Sequence, residues 1–255
     1  MKAGILNPRE RMHCDQLAPH YQSLEYAFFG KSLEHRRFSF LVETAGLRSA
    51  LVCGGGDGRF LARLIQFNSL IEVDFVDASP VMTRIAEQRI AGMGHRFLRR
   101  VRFHVSDILE FEPRQKSYDL IVTNFFLDCF SNEEIPLVIS HLRRWTRPGA
   151  QWIVSEFHEA DGMIGRLWTR AVIRALYAAF RIATGLRVVQ LPNYHQGLLA
   201  QNFSPRRAEL AFGGLLCSSI WRDQSASCGD SETFRTLRRA AGSETSRFIE
   251  SNRND

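Results

Sequence analysis

Four glycines, Gly54, Gly55, Gly56 and Gly58, stand within five positions in the stretch LVCGGGDGRF, Leu51 to Phe60. An apolar run precedes them, and FLARLI, with helical spacing, follows. Glycine inside a strand or helix costs about 0.5–1 kcal/mol relative to alanine. A cluster this dense therefore marks a backbone that turns sharply or admits a close neighbour. A strand, a glycine turn and a helix in immediate succession restrict the chain to folds in which such units repeat.

They do repeat. SALVC is a short apolar strand and GRFLARLIQF a helix; IEVDFVD alternates as a strand does. Ser79 then caps a helix whose first residue is Pro80, a favoured place for proline. VRFHVSD and YDLIVTNFF supply a third and a fourth strand. SNEEIPLVISHLRRW is a helix opened by Ser131 with Glu134 three residues on, a capping box. RPG is expected to turn the chain into a fifth strand, AQWIVSEF. Strand alternating with helix predicts a doubly wound α/β fold, its parallel sheet covered on both faces and its ligands beyond the carboxyl ends of the strands.

The spacing of the glycines discriminates between ligands. A dinucleotide fingerprint needs G-x-G-x-x-G, but counting from Gly54 and Gly56 the last position is Arg59. The pattern is G-x-G-x-G, at Gly54, Gly56 and Gly58, and no G-K-[ST] follows. Asp77 ends the second strand, 21 residues after Gly56, where a carboxylate accepts from both ribose hydroxyls. Asp107 ends the third and is placed to take the exocyclic amine of adenine. Each acid alone has a second reading, as the cap of a turn or helix, and the glycines alone have one as a structural turn. Loop and acids together point to a nucleoside ligand.

With VCGGGDG at the first strand, VDASPVM at the second, SDI at the third, YDLIVTNFFLD at the fourth and RPGAQWIVSEF after it, the sequence resembles class I S-adenosylmethionine-dependent methyltransferases over residues 49–157. One position departs from the family pattern: Val52 stands where an acid commonly precedes the first loop glycine. The resemblance implies a Rossmann-like, mostly parallel seven-stranded sheet finished by an antiparallel hairpin. It also implies S-adenosyl-L-methionine as cofactor. Gly54, Gly56 and Gly58 would admit its methionyl part where a Cβ would collide, and Asp77 would hold the ribose. Asp107 and Ile108 would read adenine, while Asn124 and Phe125 would border the sulfonium. NFFL, residues 124–127, lacks both prolines of the N-P-P-Y type motif of amino-directed DNA and protein methyltransferases, which argues against an adenine or glutamine amide acceptor. The alternatives are an NAD(P)-dependent oxidoreductase, and a non-catalytic or nucleic-acid-directed member of the fold.

Methyl transfer needs a base only where the acceptor must lose a proton. Asp128, Glu156, His158 and His195 lie near or beyond the strand ends; Asp128 and His158 rank first as catalytic groups. Tyr21, Trp168 and His195 are candidates to touch the acceptor, Tyr21 from an N-terminal segment folding over the site. For the histidines the plain reading is a packed or surface residue, and for Asp128 a helix cap.

Gly162 to Ala208 holds seven arginines (Arg166, Arg170, Arg174, Arg181, Arg187, Arg206 and Arg207) and no acid, within a chain of net charge +6. GMIGRLWTRAVIRALYAAFRIATG is a continuous helical pattern in which Arg166, Arg170, Arg174 and Arg181 fall within about 80° of one another. Leu167, Trp168, Ala171, Ala175, Ala178 and Ile182 take much of the other side. Such a helix is expected to act as a lid, greasy beneath and basic above. Residues 164–182 also have the character of a helix that lies on an anionic membrane surface, which suits a small, lipophilic acceptor. LPNYHQGLLAQNF is a further helix, and AELAFGG with LLCSSIWRD is a strand pair joined at Gly213–Gly214.

At 255 residues the chain suits one domain over 1–223, with N-terminal helices at 10–46, a cofactor-binding core at 49–157, and the lid helix and last strands at 158–223. The polar tail, 224–255, balances five arginines with five acids and is expected to be disordered. The five cysteines (Cys14, Cys53, Cys129, Cys217 and Cys228) are widely spaced and form no C-x-x-C pair. Neither a metal site nor a disulfide framework is expected. The lack of an apolar leader or a long apolar run points to the cytoplasm.

Overall fold

The computed structural model describes residues 36–114, 117–184 and 191–225, with the backbone alone for 179–184. Tyr21, Cys14, Cys228, Arg187, the side chains of Arg181 and Ile182, residues 10–35 of the expected N-terminal helices and the tail beyond Ser225 lie outside the described residues.

Parallel strands are β1 (Ser49–Cys53), β2 (Glu72–Asp77), β3 (Val101–Val105), β4 (Tyr118–Asn124) and β5 (Thr146–Phe157). The helices between them are α1 (Arg59–Phe67), α2 (Pro80–Gly92), α3 (His95–Leu98) and α4 (Ile135–Arg143). Then come α5 (Met163–Thr184), α6 (Tyr194–Ala200) and the strands β6 (Phe203–Ala211) and β7 (Leu216–Asp223). The sheet order is β3-β2-β1-β4-β5-β7-β6, with β5, β7 and β6 pairing antiparallel. Because β1 has β2 on one side and β4 on the other, the order reverses at β1, and the crevice opens beyond its carboxyl end.

All five residues of β1 are buried, as a strand sandwiched between two helical layers requires. Leu51 and Cys53 face Ile135, Val138, Ile139 and Leu142 of α4 with Leu198 of α6. Ala50 and Val52 face Phe60, Leu61, Leu64 and Ile65 of α1 with Ala86 and Ile90 of α2. Ser79 caps α2 as its sequence predicts, its hydroxyl accepting from the Met82 N–H at 3.0 Å.

Two boundaries differ from expectation. RPG is not a turn ahead of β5: Arg147, Pro148 and Gly149 lie inside it. They form a bulge where the pairing jumps from Tyr118↔Thr146 to Leu120↔Gln151, and bulges take the residues that also mark turns. Strand β6 begins at Phe203, ahead of the expected AELAFGG, because Pro205 sits on an edge strand at a register shift where its missing N–H costs no ladder bond.

One polar group is built deep into the sheet. Asp74, in the middle of β2, is 3% exposed. It accepts from Arg102 (2.9 and 2.8 Å), His104 (2.8 Å) and the Tyr118 hydroxyl (2.7 Å). Burial alone would raise the Asp74 carboxyl, but the bonds from Arg102, Tyr118 and His104 outweigh it and hold the group below its ordinary value. Replacing Asp74 by asparagine leaves Arg102 without its buried counter-charge, and urea unfolding at neutral pH should show a loss of about 2–3 kcal/mol. A depressed carboxyl stabilises above its unfolded pKa and loses that contribution as pH falls through its folded value. The gap between wild type and Asp74→Asn should therefore narrow on acidification below about pH 4.

Candidate active site

The glycine turn is fastened to β2 at two points. The Gly54 N–H donates to the Val76 carbonyl at 2.8 Å and the Gly56 N–H to the Asp77 carboxylate at 2.9 Å. Gly54, Gly56 and Gly58 have φ of +59°, +57° and +77°. The reason for glycine differs by position. A Cβ on Gly54 would overlap the Phe126 ring, one on Gly55 the Phe75 ring, and one on Gly58 would stand 2.7 Å from the Ala86 Cβ. At Gly56 no atom lies within 4 Å. Three of the four glycines are thus imposed by the protein's own packing, and open space adjoins Gly56 alone. Of the three glycines expected to admit a ligand, Gly54 and Gly58 have a second reason for glycine in the protein's own packing.

Asp77 and Asp107 end adjacent strands: Asp77 pairs with Val105, and the Ser106 N–H donates to the Asp77 carbonyl at 3.1 Å. Both acids also organise their turns, Asp77 accepting from the Ser79 N–H and Asp107 from the Leu109 N–H, each at 2.9 Å. Asp107 and Ile108 are buried. Asn124 closes β4, and its buried Oδ1 has no hydrogen-bond partner. Phe125, the next residue, has φ +53°, an uncommon conformation for a bulky side chain and one that gathers at functional sites. Its N–H donates to the Ser155 carbonyl at 2.7 Å. Its ring lies 5.3 Å from that of Phe157 and 5.3 Å from the Arg37 guanidinium.

Beside this half lies a second group of polar atoms. Glu156, the penultimate residue of β5, is 2% exposed. Its Oε1 accepts from the N–H groups of Phe126 (3.1 Å) and Leu127 (2.8 Å), and its Oε2 has no partner. Burial, then the nearby Asp128, push the Glu156 carboxyl well above its ordinary value. Burial raises Asp128, in the turn Leu127–Cys129, to about 6. Tyr177 of α5 is likewise buried with an unpartnered hydroxyl, raised by burial and then by Asp128, Glu156 and Cys129. Asp128 and Glu156 were legible as strand-end acids. Tyr177 was not, although Thr169, Ile173 and Tyr177 recur at four-residue spacing, the mark of a buried helix stripe.

The other candidates are placed as follows. His158 is half-buried, with Nδ1 3.0 Å from the Gly214 carbonyl. A carbonyl only accepts, so Nδ1 carries the hydrogen and Nε2 is the nitrogen able to take a proton. His195 is held between the rings of Tyr194 and Trp221, and burial lowers it to about 4. It is neutral at physiological pH. Trp168 is 48% exposed and packs on Phe212. Helix α5, expected to act as a lid, is turned relative to expectation: Thr169, Ile173, Leu176 and Tyr177 face inward, whereas Leu167, Trp168, Ala171 and Ala175 are exposed. The arginines occupy one edge of the exposed face rather than the whole of it. Inward selection followed the packing of Ile173 and Tyr177 on Phe157 and Leu216, which a helical wheel does not contain.

A glycine turn at the switch point, acids on the next two strand tips and an antiparallel β7–β6 finish define the class I, Rossmann-like methyltransferase fold. Residues 51–151 match the family model described as a methyltransferase domain. Malonyl-[acyl-carrier protein] O-methyltransferase 2 of Ilyobacter polytropus is 26% identical over 133 residues, 52% of this chain and 48% of that protein. Polyamine aminopropyltransferase 2 of Bacillus cereus is 27% identical over 110 residues, 41% of this chain and 29% of that protein. The chain thus spans about half the length, or less, of these curated relatives. Among solved structures, the 1,6-didemethyltoxoflavin-N1-methyltransferase of Burkholderia thailandensis superposes with a TM-score of 0.58 at 16% identity, covering 88% of this chain and 93% of that one. The mitomycin 7-O-methyltransferase MmcR superposes with a TM-score of 0.57 at 16% identity, covering 82% and 60%.

An ionised carboxylate buried at Asp128 is a burden on the fold. A carboxyl raised on folding favours the native state below its unfolded pKa, and that advantage disappears as pH rises through about 6. Asp128→Asn should therefore be more stable than wild type at neutral pH, by about 1–2 kcal/mol. The gain should vanish below about pH 4, as followed by urea unfolding across that range.

Proposed function

We propose that this protein is an S-adenosylmethionine-dependent methyltransferase acting on a small, hydrophobic acceptor at oxygen or carbon. S-adenosylmethionine, when bound, supplies an electrophilic methyl group on a positively charged sulfur. The observation that carries the reading is the turn at Gly56: open space above a glycine, its N–H tied to Asp77, with Asp107 on the next strand tip. These residues fit an adenosyl group. Asp77, tied to the Gly56 and Ser79 N–H groups, would present its carboxylate to ribose hydroxyls, and Asp107 with Ile108 would border the base. The unpartnered Asn124 Oδ1 would accept from the ammonium of the methionyl part. Phe125 and Phe126 would wall the crevice where water must be excluded and the acceptor aligned, which supplies most of the rate in such displacements.

S-adenosylhomocysteine should bind with micromolar affinity by calorimetry, and Asp77→Ala should weaken it at least about tenfold, the loss of a bidentate charged contact. Titration to saturation without heat in the wild type would remove the reading.

The outward face of α5 supports contact with an anionic membrane surface as the source of a lipophilic acceptor. Met163, Ile164 and Leu167 are 79%, 80% and 66% exposed, beside exposed Arg166 and Arg174. Among the described residues no helix is long and apolar enough to cross a membrane; the contact we propose is along the surface. Co-sedimentation with phosphatidylglycerol vesicles should exceed that with phosphatidylcholine vesicles, and Leu167→Asp should abolish the difference.

A further inference from the structure

Three described atoms at the carboxyl ends of β4 and β5 are buried polar groups without partners: Asn124 Oδ1, Glu156 Oε2 and the Tyr177 hydroxyl. Asn124 belongs with the cofactor half. The other two both feel the charge of Asp128 and have no role there. An unmade hydrogen bond in a buried site is a standing cost, tolerated where a ligand supplies the missing partner. Glu156 and Tyr177 are 2% and 4% exposed, and they come from different layers of the fold, a strand and the helix that covers it.

We propose that Glu156, Asp128 and Tyr177 form the subsite for a hydroxyl carried on an aromatic ring, with Asp128 taking the hydroxyl's proton. The proposal rests on the methyl-transfer reading and names its acceptor.

The chemistry of the three groups selects a hydroxyl. Buried together, two carboxyls cannot both ionise cheaply. Burial raises both carboxyls, so the pair holds one proton; we place it on the unpartnered Glu156 Oε2, since Oε1 already accepts two N–H groups, which leaves Asp128 as the acceptor. Glu156, once protonated, and Tyr177 each offer an O–H, while Asp128 offers an acceptor. A hydroxyl, which accepts and donates at one atom, satisfies all three. An ammonium only donates and would leave the O–H of Glu156 and of Tyr177 unused; a carbonyl only accepts and would leave Asp128 unused. The apolar neighbours are those we match to an aromatic ring: Phe125, Phe157, Ile173 and Leu176 cluster with Tyr177, and Phe126, whose N–H holds Glu156, meets the Phe130 ring at 5.1 Å.

In the proton step the acceptor's O–H bond breaks, its electron pair stays on oxygen, and the proton binds a carboxylate oxygen of Asp128. The developing anion is held by the hydrogens of Glu156 and Tyr177 in a water-poor site. The groups that set this titration are Glu156 from β5, Tyr177 from α5 and Cys129 in the same turn, all coupled to Asp128. Behind Glu156 lie Tyr194 from α6 and Cys217 from β7, the latter facing Arg36.

Calorimetry with 2-naphthol, in the presence of saturating S-adenosylhomocysteine, tests the subsite. At about pH 7.5 it should bind at least about tenfold more tightly than 2-methoxynaphthalene, which fills the same space without a donor. That preference should fall at least about fivefold by about pH 5, where Asp128 is protonated. Asp128→Asn should lose both the preference and its pH dependence, whereas Tyr177→Phe should weaken 2-naphthol several-fold and keep the pH dependence. Retained S-adenosylhomocysteine binding by both variants shows that they fold. No preference for 2-naphthol, no binding of it to the loaded wild type, or a pH dependence that survives Asp128→Asn would overturn the subsite and leave the cofactor reading intact. Failure of S-adenosylhomocysteine to bind the wild type would overturn that reading instead.

Discussion

The bond from the Gly56 N–H to the Asp77 carboxylate, 2.9 Å long, holds together what the rest of the site presupposes. It joins the turn after β1 to the tip of β2, so the helix that follows starts from a fixed point. Asp77 accepts at the same time from the Ser79 N–H, which sets the entry to α2. One carboxylate therefore aligns the starts of two helices on the same face of the sheet, with the open space over Gly56 between them. The acid that a sequence reader assigns to a ligand is also a structural clamp. The two roles are not rivals, because a carboxylate has lone pairs for both.

What could be read from the chain follows from the range of the interactions involved. The glycine turn, the Ser79 cap, the Gly213–Gly214 hairpin and the order of strands and helices are local, each written within a few residues, and the structure bears them out. RPG misled for the same reason: Pro148 and Gly149 are turn residues locally, but the ladder to β4 absorbs them as a bulge. Asp74 sits at what looks like a polar alternation in β2. Only the arrival of Arg102, His104 and Tyr118 from other strands makes it a buried anchor. The inward face of α5 was misjudged because four arginines dominate its wheel, whereas burial is decided by what Phe157 and Leu216 present to it.

The same distinction divides the site. The cofactor half that we propose is made of backbone turns and strand-tip acids, so it is compact in sequence. The acceptor half that we propose gathers Asp128 from a turn after β4, Glu156 from β5 and Tyr177 from a helix 21 positions beyond Glu156. No spacing rule connects these three. They are recognised only by their shared condition: buried, polar, raised in pKa and, at Glu156 and Tyr177, with one oxygen left unpartnered.

That condition separates a site from ordinary structure within this one molecule. Asp74 is as deeply buried as Glu156, yet its four bonds pull its pKa down and it strengthens the sheet. Glu156 and Asp128 are pushed up, and their burial works against the fold. A protein needing acids only for stability would meet each with a cation or a hydroxyl, as it does at Asp74. At the carboxyl ends of β4 and β5 it instead sets two acids beside each other and closes a tyrosine over them. Hydrogen bonds left incomplete in this way, on the strands next to the switch point, are what the proposed binding of a reacting hydroxyl would use: interactions unmade in the resting protein and completed as charge develops on the ligand.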